Sequence, residues 1–152
     1  MSASISDRIQ ADLAAAMKAR DADTLSTLRM LKAALLELLT SKPRDAAVSA
    51  DEEVEVLMRY VKKRREVIEE LKRHGRTETV AREEAEIAIT QRYLPAMVGE
   101  DELRAIVKDA VAKTGAASAK DMGKVIGAVM AQVKGRAEGA VVSRLVREAL
   151  AG

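Results

Sequence analysis

Apolar positions along this chain recur at helical spacing, in four long runs before Leu94-Pro95 and three shorter ones after it. Ile9, Leu13, Ala16 and Met17 fall at i, i+4, i+7 and i+8, which predicts a helix from Ser4 or Ser6 to about Arg20. The Asp21-Ala-Asp23 break offers N-cap residues for a second helix, Thr24 to about Ser41. Its stripe is Leu25, Leu28, Leu31, Leu35, Leu38 and Leu39, and Pro43 ends it. Ser49 with Glu52 makes a Ser-x-x-Glu capping pattern for a third helix reaching about His74. Val54, Leu57, Met58, Val61, Ile68 and Leu71 form its inner face, and Gly75 is a natural stop. Thr77 is positioned to cap a fourth helix, which ends before Leu94-Pro95.

Past Pro95 the texture changes, because seven of the eight glycines lie there. Leu103, Ile106, Val107, Ala110 and Val111 mark a fifth helix closed by Gly115. Ser118 caps a sixth, with Met122, Val125, Ile126, Val129 and Val133 inward and its end at Gly135. The last helix carries Val142, Leu145, Val146, Ala149 and Leu150. No stretch alternates with period 2, so no sheet is expected. The predicted fold is all-α, with about seven helices in one domain over residues 1–152. It divides into a four-helix part, residues 1–94, and a three-helix part, residues 95–152, hinged near Leu94-Pro95.

Composition narrows the chemistry. The chain has 152 residues, 48% of them apolar and 33% charged, long enough to bury about 68–70% of its unfolded surface. It holds two Tyr, one His and no Phe, Trp or Cys. Disulfides, thiolate nucleophiles, iron–sulfur clusters and cysteine zinc sites are excluded, as is a two-His metal site within one chain. Base stacking on aromatic platforms has almost nothing to work with. No apolar stretch approaches the roughly 20 residues of a membrane span, and no signal-peptide pattern opens the chain, so a cytoplasmic location is expected.

The net charge of +2 hides local imbalance. From Arg59 to Arg76 eight basic residues face only Glu66, Glu69 and Glu70. From Ser118 to Arg147 six basic residues face only Asp121 and Glu138. In the first window, 100° per residue places Arg65 between Val61 and Ile68 in the apolar stripe. Lys32 falls likewise among Leu28, Leu35 and Leu39. A charge on an apolar face must snorkel, pair or mark a site. The more ordinary expectation is an ion pair between helices, with Glu83, Glu84 or Glu86 as partner. The functional one is a second basic site at Lys63, Arg64 and Arg65, where Arg64 and Arg65 together grip a phosphate.

The second window alternates cations with glycines in Lys120-Asp-Met-Gly-Lys124 and Lys134-Gly-Arg136-Ala-Glu-Gly139. Backbone N–H groups at a helix start, assisted by Lys or Arg, form an anion site. Gly123-Lys-Val-Ile-Gly127 lacks the Lys-Ser/Thr ending and the preceding strand of a P-loop, and its glycines are expected to permit close approach of another helix. Catalytic groups are sparse. His74 beside Gly75 reads as a helix-end residue, and Glu83-Glu84 and Asp51-Glu52-Glu53 read as solvated faces or dipole partners.

Arg29-Met-Leu-Lys-Ala-Ala34, Lys63-Arg-Arg65, Tyr93-Leu-Pro95, Lys120-Asp-Met-Gly-Lys-Val-Ile-Gly127, Lys134-Gly-Arg-Ala-Glu-Gly139 and Val142-Ser-Arg-Leu-Val146 together resemble the GatB/YqeY family, over Ile5 to Leu150. The likeness is to the stand-alone YqeY-like form, which is similar to the tail of the B subunit of glutamine-dependent tRNA amidotransferase. That resemblance implies two helical subdomains, a link to translation, and tRNA as partner through backbone contacts that do not read bases. Lys120, Lys124, Lys134, Arg136 and Arg144 match the positions where it places the tRNA-facing surface. Amidotransferase or other translation proteins are further implied partners. The family's label, carbon–nitrogen ligase with glutamine as amido donor, is not expected of this chain alone, which has no room for an ATP site, an amidase or an ammonia channel. No catalytic residue, cofactor or metal is expected. Gly99 stands where the family motif often has Ser, and Glu138 where Asp is usual. The rival readings are a protein–protein adaptor without nucleic acid and a DNA binder. The latter lacks a recognition helix bearing base-reading side chains.

Overall fold

A computed structural model describes residues 3–151, which form seven α-helices and no strand. The first, α1 (Ile5–Ala19), starts where the Ser4 hydroxyl accepts from the Asp7 amide at 3.1 Å. The second, α2 (Ala22–Ser41), is capped by Asp21, whose carboxylate accepts from the Thr24 amide and hydroxyl. The third, α3 (Ala50–Arg73), opens on a complete capping box between Ser49 and Glu52, as the sequence spacing predicts. It ends at Gly75, whose φ of 70° lies in the left-handed region that a Cβ disfavours. In α4 (Thr77–Gln91), Thr77 is the first helical residue rather than the cap; Arg76 holds that place without a side-chain bond.

The later helices are α5 (Glu100–Thr114), α6 (Met122–Val133) and α7 (Gly139–Ala151). Ser118 does cap, but the element it caps is a 3-10 turn, Ala119–Asp121, that leads into α6. Its hydroxyl accepts from the Lys120 amide, while Asp121 reaches back to the Ser118 amide.

The helices gather into two compact units, one ending at Leu94 and the next beginning at Pro95. The first unit has two separate clusters of buried side chains. The larger is built from Ile5, Ile9, Leu13, Leu28, Leu31, Leu35, Leu57, Ile89 and Tyr93 with flanking alanine. The smaller, Val61, Ile68, Val80 and Ile87, lies between α3 and α4. In the second unit α5, α6 and α7 share one cluster centred on Leu103, Val107, Val125, Val129, Val142, Leu145 and Val146.

Three polar arrangements brace the first unit. Glu53, only 4% exposed, accepts from the Ile5 amide (3.2 Å), the Ser6 amide (2.9 Å) and the Ser6 hydroxyl (2.8 Å), so α3 supplies the acceptor for the start of α1. The Tyr93 hydroxyl donates to Asp12, and the Arg8 guanidinium lies 5.1 Å from the Tyr93 ring centre while donating to the Arg92 carbonyl. Burial first, then the Asp12 bond, pushes the Tyr93 phenol above its usual range. The third arrangement corrects the sequence reading. Arg64, not Arg65, turns inward, with its guanidinium 3.3 Å from Glu83 and 3.9 Å from Glu86. Arg65 is exposed. An ion pair of the expected kind between helices therefore exists at Arg64, with two of the three expected glutamates as partners.

Candidate functional site

Local structure decides where each candidate cation of the second unit stands. Lys120 lies in the 3-10 turn and Lys124 in the first turn of α6, about one helical turn apart and both exposed. Between them Asp121 accepts from the Ala117 amide at 3.0 Å and the Ser118 amide at 3.4 Å. Those two bonds hold its carboxyl below the usual range, and the Lys124 charge adds to the effect. Lys134 caps the far end of α6, ten residues beyond Lys124 and so roughly 15 Å along the helix axis. Its φ of 22° is a left-handed backbone on a non-glycine residue, one step before Gly135 at 77°.

Arg136 and Arg144 have structural partners. The Arg136 Nε donates to the Ala96 carbonyl at 3.1 Å, and the Arg136 carbonyl accepts from the Val98 amide at 2.7 Å, fastening the segment ahead of α5. Arg144, on α7, meets Glu100 on α5 at 2.6 Å and Glu148 at 3.3 Å. Arg104 joins them, 3.3 Å from Glu100 and 3.8 Å from Glu148. The Arg144 bond holds the Glu100 carboxyl below its ordinary range, and the same bond raises the Arg144 guanidinium. The five candidate residues are thus not one cluster. Lys120 and Lys124 stand at one end of α6, Lys134 and Arg136 at the other, and Arg144 is part of a four-member charge network.

The face of α6 between those ends is unusual. Val125, Val129 and Val133 face the core. Gly123, Lys124, Gly127, Ala128, Ala131 and Gln132 are exposed. A Cβ built on Gly123 or Gly127 would meet nothing within 4 Å. The expectation that these glycines admit a neighbouring helix is therefore wrong, since they face outward on a smooth, side-chain-poor strip. A buried-residue count over α6 carries the signal: with the three valines inward, Gly123 and Gly127 fall on the opposite side at 100° steps.

The second basic site is also divided. Lys63 and Arg65 are exposed, whereas Arg64 turns to Glu83 and Glu86 and lies 5.4 Å from the Tyr60 ring centre. Arg64 is thus held by carboxylates, while Arg65 lies at the surface. Burial and then the Glu83 charge raise the Glu86 carboxyl above its usual range, while burial and then Glu86 push the Tyr60 phenol up to about 12. Lys63, Val67, Leu71, His74 and Arg76 border an open depression of about 650 Å³. His74 is the C-cap of α3, its imidazole 3.6 Å from Glu70. Lys32, set by spacing among leucines, is exposed and lines a separate groove beside α1.

Sequence reasoning missed Glu53 as a positioning residue. It lies four residues before Leu57 on the same helical face, the same signal that singled out Arg65 and Lys32. Among the described residues no group of three or more His, Cys, Asp or Glu could hold a metal ion, and no helix is long and apolar enough to cross a membrane.

The chain is 32% identical over 128 residues to "Altered inheritance of mitochondria protein 41, mitochondrial" from Pyrenophora tritici-repentis (strain Pt-1C-BFP), an alignment spanning 78% of this chain and 67% of that protein. The family profile described as Yqey-like protein matches residues 6–150, nearly every residue that the seven helices use. The chain belongs to the YqeY-like protein family.

Proposed function

We propose that this protein is a small RNA-contacting accessory protein of the cytoplasm that lays the outward face of α6 against the phosphate backbone of tRNA. The observation that carries this reading is the bare strip at Gly123 and Gly127 with Lys120 and Lys124 at one end and Lys134 at the other. A glycine inside a helix costs about 0.5–1 kcal/mol relative to alanine, and nothing inside this unit requires either one. A surface with few side chains admits close approach of another backbone, and cations at its ends supply sequence-independent attraction for phosphates. With two tyrosines and no other aromatic residue, recognition rests on shape and charge rather than base stacking. The likeness to the tail of the amidotransferase B subunit supports tRNA as the RNA class. No catalytic step is assigned to the chain itself.

Anisotropy of labelled tRNA, titrated with protein at low salt, tests the reading. Lys120→Ala with Lys124→Ala is expected to weaken binding at least roughly tenfold and to flatten the slope of log affinity against log salt by about two. Gly127→Gln is expected to weaken binding while the helix stays folded, and Arg144→Ala to leave it nearly unchanged. Absence of binding at micromolar protein, or equal affinity for the double lysine variant, refutes the proposal. The adaptor reading gains one specific observation, the exposed Leu36 and Leu39 on α2, which points to a different surface.

A further inference from the structure

The first unit carries an apolar groove that its own core does not fill. Ile9 and Leu35 are buried at its floor, Val48 stands on one side, and Leu36 and Leu39 project along α2, 55% and 50% exposed. The groove has a volume of about 370 Å³. Lys32, Leu35, Leu36 and Leu39 follow the i, i+3, i+4, i+7 spacing of one helical flank. Single exposed leucines are ordinary, but a contiguous pair over an open apolar hollow with a polar rim marks a contact surface.

The walls of this groove are fixed in advance. Glu53 holds the start of α1, as described above. Lys42 Nζ donates to the Ala47 carbonyl at 2.8 Å and meets Glu52 at 2.6 Å, which holds the loop that carries Val48. The rim bears both signs of charge. Lys32 stands on the α2 side and Asp7 on the α1 side, and neither makes an ion pair among the described residues.

We propose that the groove is occupied by a second copy of this chain in a two-fold symmetric dimer. The patch presents a hollow over Ile9, Leu35 and Val48 and a projection at Leu36, the two shapes that a self-complementary surface needs. Its charges favour the same occupant. An acidic partner helix satisfies Lys32 but repels Asp7, and a basic one does the reverse. A two-fold axis sets each Lys32 against the Asp7 of the other copy and satisfies both.

Sedimentation equilibrium of the purified chain from about 1 µM to about 1 mM tests this, the range in which a modest interface reveals its dissociation constant. The wild type is expected to pass from monomer to dimer across that range. Leu36→Glu is expected to stay monomeric, with its helical circular dichroism and melting point intact because the side chain is exposed. Lys32→Glu and Asp7→Lys are each expected to weaken the dimer roughly tenfold or more. The double variant, with the charges exchanged, is expected to recover most of the loss. Asp7→Lys also removes an acidic residue from the first turn of α1, and the double variant carries the same burden, so recovery is read against that single variant. A wild type monomeric throughout overturns the proposal, as does a dimer that survives Leu36→Glu. A double variant no better than the singles overturns it as well, and a partner peptide that binds the groove of a strictly monomeric chain assigns the surface elsewhere. None of these outcomes depends on tRNA binding by α6.

Discussion

Glu53 is a carboxylate almost out of water with three donors pointed at it, and it carries more of the first unit's order than its place in an acidic run implies. Its removal leaves two amides at the start of α1 without an acceptor. Glu53→Ala is expected to cost about 2–4 kcal/mol in urea unfolding, and Glu53→Gln to fall between it and the parent, since a neutral amide offers only one acceptor oxygen. A loss below the scatter of surface substitutions refutes that assignment. Arg64 invites a test by pH. Glu86 holds its proton more firmly in the fold than in the unfolded chain, because burial and Glu83 raise it against the pull of Arg64. The stability this brings is complete below the ordinary carboxyl range and fades as pH rises through the raised value. Arg64→Ala removes the lowering influence, so its expected deficit of about 1–3 kcal/mol at neutral pH narrows at an acidic pH below that raised value. An equal deficit at both pH values contradicts the electrostatic account. The wheel alone cannot choose Arg64: at 100° per residue it and Arg65 lie about 50° to either side of the line through Val61 and Ile68. The side on which α4 packs makes the choice, and that is a tertiary fact.

Among elements, the helix starts were the most legible feature, because their signals are local. Ser49 caps where its spacing to Glu52 places it, while the structure chooses Ser4 over Ser6 for α1 and Asp21 over Asp23 for α2, which starts at Ala22 rather than Thr24. Thr77 fails as a cap because Arg76 already follows the left-handed Gly75, and the helix begins one residue sooner. Outward faces were less legible, since glycine on a helix reads the same whether a neighbour or solvent lies beyond it. That ambiguity yields a sharp pair of expectations for α6. Gly123→Ala and Gly127→Ala are each expected to raise stability by about 0.5–1 kcal/mol in thermal or urea unfolding. A loss of stability at either position means that the glycine serves the fold, and the binding role proposed for that face loses its support. The α5–α7 clasp behaves differently. Glu100 sits below its ordinary carboxyl range, so its contribution is present above that range and disappears as pH falls through the lowered value. Arg144→Ala is expected to lower the melting point at neutral pH and low salt, with the difference shrinking in acid or in high salt. Persistence of the full difference in molar salt argues for lost packing instead.

At the scale of the whole molecule, the break at Leu94-Pro95 showed through in glycine distribution and helix length. The division of the first unit's interior into two clusters did not, because one apolar stripe on α3 serves both Leu57 in the larger and Val61 and Ile68 in the smaller. The second unit's core draws only on residues from Val98 onward. A chain of residues 95–152 alone is therefore expected to show helical circular dichroism and a cooperative melt, with a margin of stability reduced by its small size. A fragment without a cooperative transition shows that the unit's core is insufficient by itself.

The two tyrosines give the molecule an unplanned optical asymmetry. Both Tyr60 and Tyr93 belong to the first unit, and the chain has no tryptophan. Near-ultraviolet absorption and intrinsic emission consequently come from that unit alone, while far-ultraviolet dichroism sums over all seven helices. Tyr60 is raised to about 12 and Tyr93 higher still, whereas a phenol in an open chain ionises near pH of about 10. Tyrosinate absorption appearing close to that ordinary value is thus a label-free signature that the first unit has opened, and the second unit remains dark to it.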